Sequence, residues 1–170
     1  PGDVGELACR GPYTLRGYFG VPEYNARQFT PDGFYRSGDL MRQHPSGNYI
    51  VEGRKKDLIN RGGEKISAEE VENLILMHPA VQNVACVAVP DAAMGEKMCA
   101  CVILKAARTQ PLMLAELVAF LQTHEIARFK LPERLEVMSE FPVSTFGKVS
   151  KKALAERIAA MAATTPVAAS

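Results

Sequence analysis

The stretch GRKKDLINRGGEKISAEEVE, Gly53 to Glu72, separates two textures of sequence. Ahead of it the chain reads as short extended pieces broken by turns. Behind it come helical stripes and unbroken apolar runs. Inside it, Arg54, Lys56 and Asp57 mark a polar junction, and the glycines Gly62 and Gly63 form a Cβ-free stretch where a backbone or a slender ligand can approach closely. Ser67 followed by Glu70 is a capping box, and Val71, Leu74, Ile75 and His78 then fall on one helical stripe that Pro79 ends. A polar linker leading into a capped helix explains the polarity. It does not explain why so many residue types crowd one junction.

Working outward on the N-terminal side, GELACRG (Gly5 to Gly11), GFYRSGDLMRQ (Gly33 to Gln43) and GNYIVEGR (Gly47 to Arg54) are strand candidates. The turn Pro45-Ser46-Gly47-Asn48 enters the third, and Val21 to Phe29 is a short helix candidate. On the C-terminal side, VACVAV (Val84 to Val89) and KMCACVILK (Lys97 to Lys105) are continuous apolar runs of strand length and read as buried strands. Leu114, Leu117, Val118 and Leu121 give a second amphipathic helix, RLEVM (Arg134 to Met138) a further strand, and Leu154, Ile158 and Met161 a last helical stripe. The expected fold is therefore α+β. Residues 1–54 supply a few strands that complete a sheet of a larger domain, 55–161 form a small α+β domain with a short sheet and about three helices, and 162–170 are a disordered tail.

The 170 residues are 47% apolar and 23% charged, so a core is within reach. A net charge of +1 gives no argument for nucleic acid or an anionic membrane as partner, and no apolar run is long enough to span a bilayer. No signal peptide opens the chain, and the first residue is Pro1 rather than Met, so the chain is expected to begin inside a longer protein. Cys9, Cys86, Cys99 and Cys101 form no CxxC pair, and the three histidines lie in separate segments, so no metal site is expected. Reduced thiols in the cytoplasm are the favoured reading, with Cys99 and Cys101 on one strand face.

Two residues stand out for chemistry. Lys148 follows Gly147 in FPVSTFGKVSKKAL, just ahead of a helix. Position 142 is Pro, so this is not a Walker A loop. A solvated lysine is the bland alternative. Against it, Lys148, Lys151 and Lys152 crowd a helix N-terminus, where the dipole disfavours cations. A lysine so presented suits a phosphate or carboxylate. Asp39, after Gly38 in FYRSGDL, could accept hydrogen bonds from two neighbouring hydroxyls, as on a ribose. Taken alone, it is equally an ordinary turn aspartate.

Together these stretches resemble the adenylate-forming (acyl/aryl-AMP ligase) superfamily. GELACRGPYTLRGYF is similar to its Gly-Glu-Leu…Gly-Tyr motif, YRSGD to its ribose-binding motif, GRKKDLINRGGEKISAEEVE to its hinge motif, and PVSTFGK to its C-terminal Gly-Lys motif. The resemblance covers nearly the whole chain to about residue 160 and is nearest to the aryl-acid–AMP ligases of siderophore assembly, which activate 2,3-dihydroxybenzoate or salicylate. It implies ATP and Mg2+, held mainly by a large N-terminal domain whose motifs are absent here. An aryl carrier protein's phosphopantetheine would be the acceptor. Asp39 and Arg54 would hold the ribose of ATP or AMP, Lys56 would be the hinge, and Lys148 the adenylation catalyst. Gly62, Gly63 and Glu64 would form the loop of the thioester step. The chain alone is expected to be inactive. An acyl- or aryl-CoA ligase and an isolated carrier-docking module are the alternatives.

Overall fold

A computed structural model of the protein describes residues 2–108, 110–145 and 147–164. The chain divides into two compact units, Pro1–Lys56 and Asp57–Ser170.

In the first unit, β1 (Val4–Cys9), β2 (Tyr35–Gln43) and β3 (Tyr49–Arg54) pair antiparallel in the order β1-β2-β3. Helix α1 (Pro22–Gln28) starts on a proline, whose ring presets the backbone and whose missing N–H is no loss there. The turn between β2 and β3 closes where His44 N–H donates to the Asn48 carbonyl at 2.8 Å. The β2–β3 ladder is irregular. Asp39 faces Arg54 and Leu40 faces Gly53, but Met41 faces Val51, so Glu52 is an extra residue in β3. Among the described residues of this unit, only Gly53 is fully buried.

The second unit holds a five-stranded sheet and three helices. Its strands are β4 (Leu58–Arg61), β5 (Glu64–Ser67), β6 (Val81–Asp91), β7 (Gly95–Leu104) and β8 (Arg134–Val137). Its helices are α2 (Ala68–Leu76), α3 (Leu114–Gln122) and α4 (Lys151–Thr164). The order is β5-β4-β7-β6, with β8 parallel to β7 over Cys99–Val102. Side chains alternate along a strand, and β7 uses both faces. Met98, Ala100 and Val102 join Val71, Ile75, Leu117 and Leu121 on the α2–α3 side. Cys99 and Cys101 join Leu154 and Ile158 of α4 on the other. Burial on both faces is why these strands read as unbroken apolar runs. Each fully buried Leu or Ile here stabilises the unit by about 1.5–3 kcal/mol relative to exposure.

The structure corrects two expectations. Gly53 to Glu72 is not a loop leading to a helix. A single 3-10 turn, Lys55–Asp57, precedes the β4–β5 hairpin, and Arg61 pairs with Glu64 across Gly62-Gly63. Both glycines have positive φ, 57° and 93°, as a two-residue hairpin turn requires. Met161 leaves the α4 stripe and is 42% exposed, whereas Leu154 and Ile158 are buried. Helix α4 runs to Thr164, and of the expected tail over 162–170 residues 165–170 lie outside the described residues.

Candidate functional site

Asp39 and Arg54 sit opposite each other on β2 and β3, beside the extra residue of the ladder. Bulges of this kind re-aim neighbouring side chains. Arg54 Nε donates to Asp39 Oδ1 at 2.7 Å. Asp39 N–H donates to Ser37 Oγ, whose own hydroxyl donates to the Leu7 carbonyl at 3.0 Å. The two side chains are 51% and 30% exposed, so the pair is surface-accessible and contributes little to stability. What it provides is orientation: one carboxylate oxygen is engaged by a fixed guanidinium. On the same strand, the Tyr35 hydroxyl lies 3.2 Å from that of Tyr18, and this hydrogen bond is the main cause that pushes the Tyr35 phenol up to about 12.

Lys148 belongs to the second unit. Val143 and Val149 form an antiparallel bridge, Ser144 N–H donates to the Lys148 carbonyl at 2.7 Å, and Gly147 N–H donates to the Ser144 carbonyl at 2.9 Å. Gly147 has φ of 74°, a conformation that favours glycine. The Gly-Lys pair thus closes a tight β-turn whose backbone bonds set where the lysine leaves the chain. Lys148 is exposed and, among the described residues, has no ion-pair partner. Its neighbours differ. Lys151 Nζ lies 2.7 Å from Glu72 Oε1, and Lys152 Nζ lies 4.0 Å from Glu156.

Lys56 is exposed in the 3-10 turn at the division between the units. Gly62 and Gly63 form the tip of the β4–β5 hairpin, and Glu64 opens β5, exposed. Gly62 N–H donates to the Met94 carbonyl at 2.8 Å, and a Cβ on Gly62 would lie 2.6 Å from Met94 Cε. The hairpin is also held by residues that sequence reasoning missed. Arg61 donates to both oxygens of Glu133, at 3.0 and 2.8 Å. That bidentate bond raises the Arg61 pKa further.

Glu72 was likewise missed. Its carboxylate, 15% exposed, accepts from Cys86 N–H at 2.6 Å as well as from Lys151. Burial raises its pKa, opposed by those two donors. Nothing in the local sequence of α2 marks Glu72 apart from its exposed neighbours. A signal exists only in retrospect: it follows Val71 on a helix that is otherwise sunk against β6. Among the described residues, no three His, Cys, Asp or Glu converge to hold a metal ion. No helix of the described residues is long and apolar enough to cross a membrane.

Residues 70–148 match the family of the AMP-binding enzyme C-terminal domain. A salicylyl-CoA synthase / salicylate adenylyltransferase of a Streptomyces species is 57% identical over 91% of this chain and 28% of that protein. The 2,3-dihydroxybenzoate-AMP ligase of Bacillus subtilis is 52% identical over 93% of this chain and 29% of that protein. The crystal structure of ATP-bound MatB from Rhodopseudomonas palustris superposes with a TM-score of 0.83 at 32% identity, covering 94% of this chain and 31% of that one. The chain therefore spans less than a third of the length of the relatives it matches.

Proposed function

We propose that the chain, whose residues 70–148 match the AMP-binding enzyme C-terminal domain family, is the C-terminal part of an ATP-dependent aryl-acid–AMP ligase of siderophore assembly. Its substrate would be salicylate or 2,3-dihydroxybenzoate, the acids in the names of the relatives at 57% and 52% identity. The domain boundaries proposed with it are 1–54 for strands of the large N-terminal domain and 55–161 for the mobile C-terminal domain.

In the first half-reaction a carboxylate oxygen of the acid attacks the α-phosphorus of ATP, and pyrophosphate leaves with the electron pair. Two anions must meet. A positioned ammonium offsets their repulsion and the charge developing on the phosphoryl oxygens. Lys148 takes this role. Asp39 accepts from the ribose hydroxyls through the oxygen that Arg54 leaves open, and Arg54 keeps the carboxylate oriented. In the second half-reaction the phosphopantetheine thiolate of an aryl carrier protein attacks the acyl carbonyl, and AMP leaves. Lys56 is the pivot between the two states. Gly62, Gly63 and Glu64, at the hairpin tip, line the path of the thiol, where the missing side chains leave room for its slender arm. Mg2+ accompanies ATP, and its ligands belong to the remainder of the ligase. The four cysteines are free thiols, which fits a cytoplasmic enzyme.

The observation that carries this reading is the state of Lys148, of three lysines near one helix start the exposed one with no ion-pair partner among the described residues, held by a backbone turn. ATP–pyrophosphate exchange by the full-length ligase, with a panel of acids, tests it. Lys148→Ala should lower exchange on the order of a hundredfold or more, while thioester formation from preformed aryl adenylate persists. Exchange that survives the substitution overturns the role of Lys148. The 170-residue chain alone should show no exchange, having only part of the site to close on substrate. The salicylyl-CoA relative favours one second reading, a CoA-forming aryl ligase. Supplying holo carrier protein and CoA in competition separates the two.

A further inference from the structure

We propose that the Glu72–Lys151 ion pair is a positioning device for Lys148, setting where α4 begins and hence where the turn presents the lysine. This rests on the adenylation role proposed for Lys148.

Lys151 opens α4, where the helix dipole opposes a cation. The position is unfavourable unless something offsets it, and Glu72 does. Its carboxylate joins three elements: it belongs to α2, accepts from Cys86 N–H of β6 at 2.6 Å, and lies 2.7 Å from the Lys151 ammonium of α4. The pair is well enclosed, with side chains 25% and 15% exposed.

From Lys151 back to Lys148 the chain has little freedom. Ser150 N–H donates to the Pro142 carbonyl at 2.8 Å, Leu154 N–H donates to the Ser150 carbonyl at 2.9 Å, and Ser144 N–H donates to the Lys148 carbonyl at 2.7 Å. Leu154 and Ile158 bury the later turns of α4 against Cys99 and Cys101. These apolar contacts set which face of the helix meets the sheet, beyond its first turn. The ion pair adds a directional tie at that first turn, attached to a carboxylate that is itself tied to the β6 backbone. Lys152 is the internal contrast: 89% exposed, it reaches only Glu156 of its own helix. Without Lys151, Glu72 becomes a largely buried charge lacking its counter-ion, which draws water or a proton and loosens the start of α4.

The test compares wild type, Lys148→Ala, Lys151→Met, Lys151→Arg and Lys152→Met in the full-length ligase. Pyrophosphate exchange and thioester formation from preformed adenylate are measured separately. Lys151→Met should lower exchange on the order of tenfold to a hundredfold, the scale of a small misplacement of a reacting group. Thioester formation should stay within about twofold. Lys151→Arg keeps the pair and should recover most of the loss, and Lys152→Met should change neither step. Exchange at the wild-type rate in Lys151→Met overturns the proposal, as does an equal loss of both steps. If wild type fails to exchange, or Lys148→Ala exchanges normally, the functional reading has failed. The geometric claim is then still decided by amide NMR of the 170-residue chain. Gly147 and Lys148 resonances that shift in Lys151→Met support the positioning role, and unmoved resonances overturn it.

Discussion

In the second unit, helices cover both faces of the β6–β7 ribbon, and every apolar side chain of the buried core lies there, from Ile59 to Ile158. In the first unit a three-stranded sheet with irregular ladders leaves apolar side chains of both faces of β3 open: Tyr49 is 64%, Val51 56% and Ile50 38% exposed. The contrast separates two sources of order. Backbone pairing, turns and polar ties are enough to draw the first unit's ladder, including the Asp39–Arg54 pair. They supply little net stability, because water satisfies the same groups in the unfolded chain. Burial supplies the rest, and only the second unit has it.

Hydrogen exchange probes this contrast most strongly. Amides of β6 and β7 should exchange about a thousandfold or more slowly than those of β1–β3 in the same chain. Equal protection would abolish the distinction. Truncations come next. Ile158→Ala should cost about 2–5 kcal/mol in urea unfolding, whereas Val51→Ala should stay within about 0.5 kcal/mol. A large effect at Val51 would mean that its face is covered. Polar ties should differ less. Glu133→Ala removes the bidentate grip on Arg61 and should cost about 1 kcal/mol, and Arg54→Ala about 0–0.5 kcal/mol.

The smallest effect is a pH dependence confined to the second unit. His78 is 4% exposed, packed edge-on against Phe120, and burial lowers its pKa below 6.5. Glu116 pulls it upward, while Arg108 and Lys105 push it down. A lowered folded pKa means that the neutral ring is favoured. The associated stability is present above the unfolded value and is lost as pH falls through the folded one. Melting temperature should therefore decline between about pH 7 and 5, less steeply in His78→Phe. Identical slopes would remove His78 as the cause.

What could be read in advance tracks the same division. The runs around Val84 and Lys97 were legible as buried strands because covering both faces leaves no polar positions to confuse the pattern. The β4–β5 hairpin was not. Its strands are only four residues long, their charged residues Arg61, Glu64 and Lys65 hide the alternation, and a single buried isoleucine on each, Ile59 and Ile66, is too little signal. Gly62-Gly63 was read as room for a close approach, which is compatible with its being a turn but did not imply one. Asp39 and Arg54 were each legible as candidates. That they touch depends on the extra residue Glu52, a matter of register that no local motif encodes.

The sequence by itself determined which segments are helical or extended outside the β4–β5 hairpin, that the C-terminal unit has enough apolar surface to close a core, and that a lysine follows a glycine at Lys148. These depend on local conformation and on periodicity, which neighbouring residues carry. Only the tertiary structure decided which of three similar lysines has a buried partner. Lys148, Lys151 and Lys152 are alike in composition and setting, and Glu72 lies far away in the chain. An ion pair is a relation through space: it exists because α2, β6 and α4 pack so that one ammonium reaches one carboxylate, and it leaves Lys148 exposed and, among the described residues, without an ion-pair partner.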